Sequence, residues 1–226
     1  MNLQSLRLQI EQDAPLAAIA RRVAELAQHD PAHDLAHSLR VALWTLRLCG
    51  AAADPRECIA AALLHDVVNL PKNAPDRARA SERSAAVARE ALAALDFRPE
   101  AIERICDAIA THSYSRGATP RSALGRALQD ADRLEALGAL GAARCFATGA
   151  QLGARLVHED DPWGSSRLLD DRAYSVDHFF TKLLELPETL CTEAGRAEAR
   201  RRADFLRVYL EQLASELDCP APPAPK

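Results

Sequence analysis

Apolar residues recur along most of this chain at intervals of three and four, the spacing that lines one face of an α-helix. Leu35, Leu39, Ala42, Leu43 and Leu46 make one such stripe. A longer amphipathic pattern covers residues 192–217 and assigns Phe205, Leu206, Tyr209, Leu210 and Leu213 to one side. The punctuation is also that of helices. Asp54-Pro55 sets a capping carboxylate before a proline at the first helical position and predicts a helix running through His65, Asp66, Val67 and Val68. Asp76 predicts the start of a helix reaching about Leu95, and Arg98-Pro99 one ending near His112. Thr119-Pro120 predicts a helix carrying residues 128–137, and Asp30-Pro31 precedes the stripe that begins at Leu35. No run alternates as a strand would, so the expected fold class is all-α. The longest irregular stretches are Leu70–Pro75, Ser113–Arg121 and His158–Arg172.

Composition supports this picture. Hydrophobic residues make up 48% of the 226, but aromatic residues only 4%, so the apolar content is mainly Ala and Leu, both strong helix formers. A single helical domain over 1–218 is expected, with a Pro-rich tail at 219–226. Segment 158–172 reads as a loop folded over that domain's active site, because the helices after it look too few to bury a core of their own. The 192–217 helix has apolar surface enough for a monomer or a homodimer. The formal charge of −4 gives no global basic field, so a phosphate-bearing ligand must be held locally, by a metal or a few cationic side chains. With few aromatics there is no stacking platform either, which argues against nucleic acid as a partner.

Six cysteines contain no CxxC pair, which argues against a zinc ribbon. Four of them lie in helical apolar patterns and read as buried, reduced thiols. No apolar stretch is long enough to span a bilayer, and the first fifteen residues lack a signal-peptide core. A reducing cytoplasmic compartment is expected.

Candidate chemistry changes the picture most. His65 and Asp66 sit in the run IAAALLHDVV, where every neighbour is apolar. A charged side chain there is costly unless it is paired or bound to a cation. Adjacent helical residues point about 100° apart, so the two can converge on an ion lying between their directions. His29, His33 and His37 recur every four residues, a weak metal-pair signal without the Glu of HExxH. Asp130 and Asp132 point to opposite sides of a helix, so one can be a ligand and the other a cap or an outer-shell carboxylate.

Taken in order, the motifs HDLAHSLRV (33–41), LLHDVVNLPKN (63–73), THS (111–113) and DADRLEALGALGAAR (130–144) resemble the HD-domain metal-dependent phosphohydrolases. The stretch DDRAYSVDHFFTKLLELP (170–187) is similar to the C-terminal part of a bacterial stand-alone subgroup, some of whose members resemble nucleotide pyrophosphohydrolases. The resemblance implies a compact HD-type helical bundle, with a metal-binding core over about 20–155 and C-terminal helices at 174–218 packed on it. It also implies His37, His65, Asp66 and Asp132 as metal ligands, with His37 preferred to His33 on this ground alone.

Two imidazoles and two carboxylates nearly neutralise a divalent ion and leave positions open for a water and a phosphoryl oxygen. Mn²⁺ is favoured by resemblance; Mg²⁺, Fe²⁺, Co²⁺ and Ni²⁺ also suit the donors. Two-metal members of the family carry extra histidines between the HD pair and the last Asp, whereas here His112 alone lies in that interval, so one ion is expected.

His65, Asp66, His112 and Lys72 are the expected catalytic residues. His33, Lys72, Arg133 and Lys182 are the expected substrate contacts, with Arg40 a further candidate. His112 reads equally well as an acid or phosphate contact and as a helix C-cap. Asp34 is a candidate carboxylate for orienting a metal-bound imidazole. Alarmone hydrolases of similar fold carry a Glu-Asp pair shortly after HD, where this chain reads VVNLPK. No P-loop or GxSxG elbow is present, and the glycines of GALGAAR read as close packing behind Asp132. The expected substrate is a small phosphorylated metabolite, most plausibly a nucleotide. The alternatives are a nucleotide monophosphatase and a non-catalytic metal- or nucleotide-binding regulatory module.

Overall fold

A computed structural model describes residues 1–26, 34–68, 76, 79–113 and 116–222. Among them there is no strand, only an isolated bridge between Arg155 and Tyr174. The helices are α1 (Leu3–Gln12), α2 (Ala14–Leu26), α3 (Leu35–Cys49), α4 (Pro55–Leu64), α5 (Ala80–Ala93), α6 (Pro99–Thr111), α7 (Ala123–Leu134), α8 (Gly138–Gln151), α9 (Asp177–Thr181) and α10 (Glu193–Glu216). Short 3₁₀ segments cover Gly50–Ala52 and Leu183–Thr189. The fold is all-α, as the periodicity predicts. None of the described helices is long and apolar enough to cross a membrane. The chain forms two compact units, Met1–Asp132 and Arg133–Lys226.

In the first unit α4 is the central helix, packed by α2, α3 and α6. Every residue from Glu57 to Leu64 is buried. Three successive alanines, Ala60 to Ala62, let the neighbouring helices approach closely. Ile59, Leu63 and Leu64 then supply most of its apolar area, each worth roughly 1.5–3 kcal/mol when fully buried. The buried Glu57 is paired with Arg104 of α6, whose Nε lies 2.9 Å from Oε2. Asp13 stands between α1 and α2, where it accepts from the backbone N–H of Leu16 and pairs with Arg56 at 2.7 Å.

Several predicted boundaries shift, each for a local reason. Helix α4 stops at Leu64 instead of running through His65–Val68. The His65 ring takes the carbonyl of Ala62, which a continuing helix would offer to the N–H of residue 66. Helix α5 starts at Ala80, not Asp76; the Asp76 carbonyl accepts from Arg79 N–H in a turn and its carboxylate pairs with Arg83. Helix α7 is capped by Ser122, whose hydroxyl accepts from Gly125 N–H at 3.0 Å, and so begins later than Thr119-Pro120 suggests. A side chain at Gly125 would meet Pro120 Cβ at 2.9 Å, so glycine lets the first turn lie on that proline. The predicted turn at Asp30-Pro31 lies outside the described residues.

In the second unit α10 packs on α8 and on the 3₁₀ segment. Its buried face is Ala199, Ala203, Leu206, Leu210 and Ala214. Phe205, which the sequence places on that side, is exposed. Phe146, Phe179 and Tyr209 cluster with centroids 5.8–5.9 Å apart. Segment 158–172 has no regular structure, as predicted, but it is well tied. Arg167 makes two bonds, of 2.6 and 2.7 Å, to the fully buried Asp177. Asp161 accepts from the N–H groups of Ser165 and Ser166. Gly141 does serve close packing, since a Cβ there would lie 2.2 Å from the Ala136 carbonyl carbon. All six cysteines are free, and three rather than four are buried: Cys49, Cys58 and Cys106.

Candidate metal centre

Four side chains of the first unit converge. One donor atom from each of His37, His65, Asp66 and Asp132 lies within 4.8 Å of the others. Three segments deliver them. His37 sits in the first turn of α3, where Asp34 caps the helix by accepting from the His37 backbone N–H at 2.8 Å. His65 and Asp66 follow the last turn of α4, and Asp132 lies on α7. Asp130, the alternative on that helix, is fully buried and outside the cluster.

The spacings discriminate between hydrogen bonding and shared ligation. Asp132 Oδ1 is 3.6 Å from His37 Nε2 and 3.7 Å from His65 Nε2, and Asp66 Oδ2 is 3.6 Å from His65 Nε2. Such distances are too long for hydrogen bonds. They approach the separation of about 3 Å between neighbouring donors placed about 2.1 Å from a common ion. His65 is fully buried, and its Nε2 has no hydrogen-bond partner among the described residues.

The other nitrogen explains that orientation. His65 Nδ1 lies 2.7 Å from the Ala62 carbonyl, an acceptor only, so Nδ1 carries a proton and donates. Nε2 then faces the two carboxylates, and its lone pair can go to a cation that displaces the proton those acids otherwise hold there. Metal-bound imidazoles are typically held in this way, through the far N–H. With protons alone, burial works against charge on His65, but Asp66 and Asp132 outweigh it and push its pKa up to about 9. Burial likewise pushes Asp132 upward, but the facing His65 outweighs it and holds that carboxyl below the usual range. Two acids and two buried imidazoles of this kind fit a divalent cation better than they fit one another.

His112 completes the group without joining the four. It caps the C-terminus of α6, and its Nδ1 lies 2.7 Å from the Ile109 carbonyl. Its Nε2 is 3.4 Å from Asp66 Oδ1, and its ring stands edge-on to His65 at 5.0 Å. The C-cap reading of this residue holds, and the cap sets its ring beside Asp66 and His65.

The family model of the HD domain matches residues 34–137. The uncharacterised protein YpgQ of Bacillus subtilis (strain 168) is 32% identical over 161 residues, 70% of each chain. The chain belongs to the HD-domain superfamily. Similar solved structures extend the match over most of its length. An HD-superfamily hydrolase from Bacillus thuringiensis aligns with TM-score 0.68 and 28% identity, covering 95% of this chain and 100% of the other. Bacillus subtilis YpgQ in complex with ADP aligns with TM-score 0.66 and 27% identity over 88% and 97%. The matched HD segment encloses all four convergent residues and His112. HD domains bind divalent metals, and the cluster is this chain's candidate for such a site.

The remaining sequence-predicted residues are placed differently. His33 and Lys72 lie outside the described residues. Arg133 directly follows Asp132 in the chain, is buried, and donates from Nη1 to the Thr189 carbonyl. Lys182 is in the second unit at the end of α9, where its backbone N–H donates to the His178 carbonyl. Sequence reasoning missed Gln129, buried on α7, whose amide bonds the carbonyl of Thr111, next to His112, and that of Ala118. Its signal was a long polar side chain between Leu128 and Asp130, in the helix that carries a predicted ligand.

Proposed function

We propose that this HD protein is a phosphohydrolase that uses one divalent ion to cleave a phosphate ester or anhydride of a small phosphorylated metabolite, most plausibly a nucleotide. The observation that carries this reading is the convergence of His37, His65, Asp66 and Asp132 around the buried Nε2 of His65, which has no hydrogen-bond partner among the described residues. Bound there, a divalent ion supplies Lewis acidity, acidifying water and polarising a phosphoryl oxygen. Mn²⁺ is the favoured ion, with Mg²⁺, Fe²⁺, Co²⁺ and Ni²⁺ compatible with the donors.

The chain's own residues divide the remaining work. His65 is fixed in one tautomer by Ala62 and presents Nε2. Asp66 faces two imidazoles at once, with Oδ2 toward His65 and Oδ1 toward His112. His112 presents Nε2 at the edge of the cluster, where it can hold a proton for the departing oxygen. The ADP complex of YpgQ supports a nucleotide as the ligand class.

Purified protein with Mn²⁺ and a nucleotide panel tests the proposal. Release of pyrophosphate identifies a pyrophosphohydrolase, and release of orthophosphate from monophosphates identifies a monophosphatase. The proposal fails if neither product appears and Asp66→Ala leaves the bound-metal content unchanged.

A further inference from the structure

Helix α6 ends at Thr111, and its last carbonyls have no partners within the helix. Side chains supply them. The Ile109 carbonyl receives His112 Nδ1. The Ala110 carbonyl receives the Ser81 hydroxyl at 3.2 Å and Arg116 Nη1 at 2.7 Å. The Thr111 carbonyl receives Gln129 Nε2 at 3.0 Å, and the same amide donates to the Ala118 carbonyl at 3.1 Å. Ser81 belongs to α5, and Arg116 to the connector after α6. Of these donors, Gln129 stands on α7, three residues before Asp132.

Packing gives no reason for an amide here. Gln129 is 2% exposed, and its α7 neighbours Leu128 and Ala131 are fully buried. Burying a glutamine freezes a rotamer-rich side chain and strips its amide of water, so its bonds must offset both. Both amide protons are directed at carbonyls, one of Thr111, the residue before His112, and one of Ala118 within the connector after α6. We propose that Gln129 is a positioning residue for His112, locking its imidazole in register with the helix that carries Asp132. This rests on the reading of His112 as the group that meets the departing oxygen; Gln129 itself touches neither metal nor substrate.

Gln129→Met keeps length and helix propensity but removes the donors. In the metal-free protein it is expected to move and broaden the His112 Cε1–Hε1 cross-peak, assigned by its loss in His112→Gln. With Mn²⁺ and the best nucleotide of the panel, kcat is expected to fall roughly 10- to 100-fold, as for misplacement of an acting group. Mn²⁺ affinity should stay unchanged, and the loss in kcat should vanish in a His112→Gln background. The inference is overturned if the His112 cross-peak does not move, or if the loss persists in that background. Gln129→Glu, which also cannot donate from its carboxylate, is the second variant. If neither variant folds, Gln129 serves the fold and the inference is likewise overturned. Full activity of His112→Gln would sink the acid role alone, and the cross-peak would still decide the positioning.

Discussion

In the unit ending at Asp132, helices are seated mainly by apolar packing around α4; His65 follows the last turn of that helix, and Glu57 in its first turn is paired with Arg104. In the unit beginning at Arg133, guanidinium groups fasten main chain. Arg202 donates to the Leu134 carbonyl at 2.6 Å, Arg144 to Glu135 at 3.1 Å, Arg196 to Leu190 and Cys191 at 2.8 and 3.2 Å, and Arg133 to Thr189. Arg167 and Asp177 form a buried ion pair with matched donors and acceptors. The contrast separates two meanings of a buried polar atom. One with partners at 2.6–3.2 Å is part of the framework. One facing carboxylates at 3.6–3.7 Å is a candidate ligand donor.

The largest effect expected from breaking this comparison lies in the first unit. Asp132→Asn removes a charged donor and is expected to lower Mn²⁺ affinity by more than about 100-fold, beyond what loss of an outer-shell partner does. Activity should go with it while the protein stays folded; a calorimetric titration and a phosphate assay read both. Next comes Arg167→Met, which strands a buried carboxylate and is expected to destabilise by about 3 kcal/mol in urea unfolding. Mn²⁺ affinity should be untouched, and a matching fall would erase the distinction between the units.

The pH dependence follows from His65. Its pKa in the folded, metal-free protein, about 9, lies above the unfolded value of about 6.5. Its contribution to metal-free stability is therefore complete below pH 6.5 and is lost as the pH rises through 9. Mn²⁺ must displace that proton, so affinity should climb up to tenfold per pH unit toward pH 9 and then level off. Titrations at pH 7, 8 and 9 check the slope. Arg202→Met removes a charge-assisted bond to a helix-end carbonyl and should cost about 1–2 kcal/mol in the same urea assay. Smallest is Arg89→Met: its partner Glu103 is on the surface, and the urea midpoint should stay at the wild-type value.

Helices α3 to α7 and α10 were legible because apolar spacing and Pro-containing caps act locally, whereas α1 and α2 were not read as elements. Pro55 and Pro99 each stand at the first position of a helix, as read. The ends were less so, because they depend on side chains reaching back, as His65 does at Ala62 and Ser122 at Gly125. In the site, an apolar run marked His65 and Asp66 directly, while Asp132 and His37 needed the family pattern. Gln129 left only a polar side chain after Leu128 as its mark, because the two carbonyls it bonds come from residues 11 and 18 positions away.

His65 and His112 share one device: each ring's Nδ1 is held at 2.7 Å by a carbonyl three residues earlier, at the end of its helix. Every amino acid carries that carbonyl. No replacement at position 62 or 109 can therefore delete the acceptor, although a proline or a bulky residue could move it. The choice of nitrogen offered to the site is thus shielded from single-codon change, and sequence drift at these positions leaves the imidazole chemistry intact so long as the helix ends stay where they are.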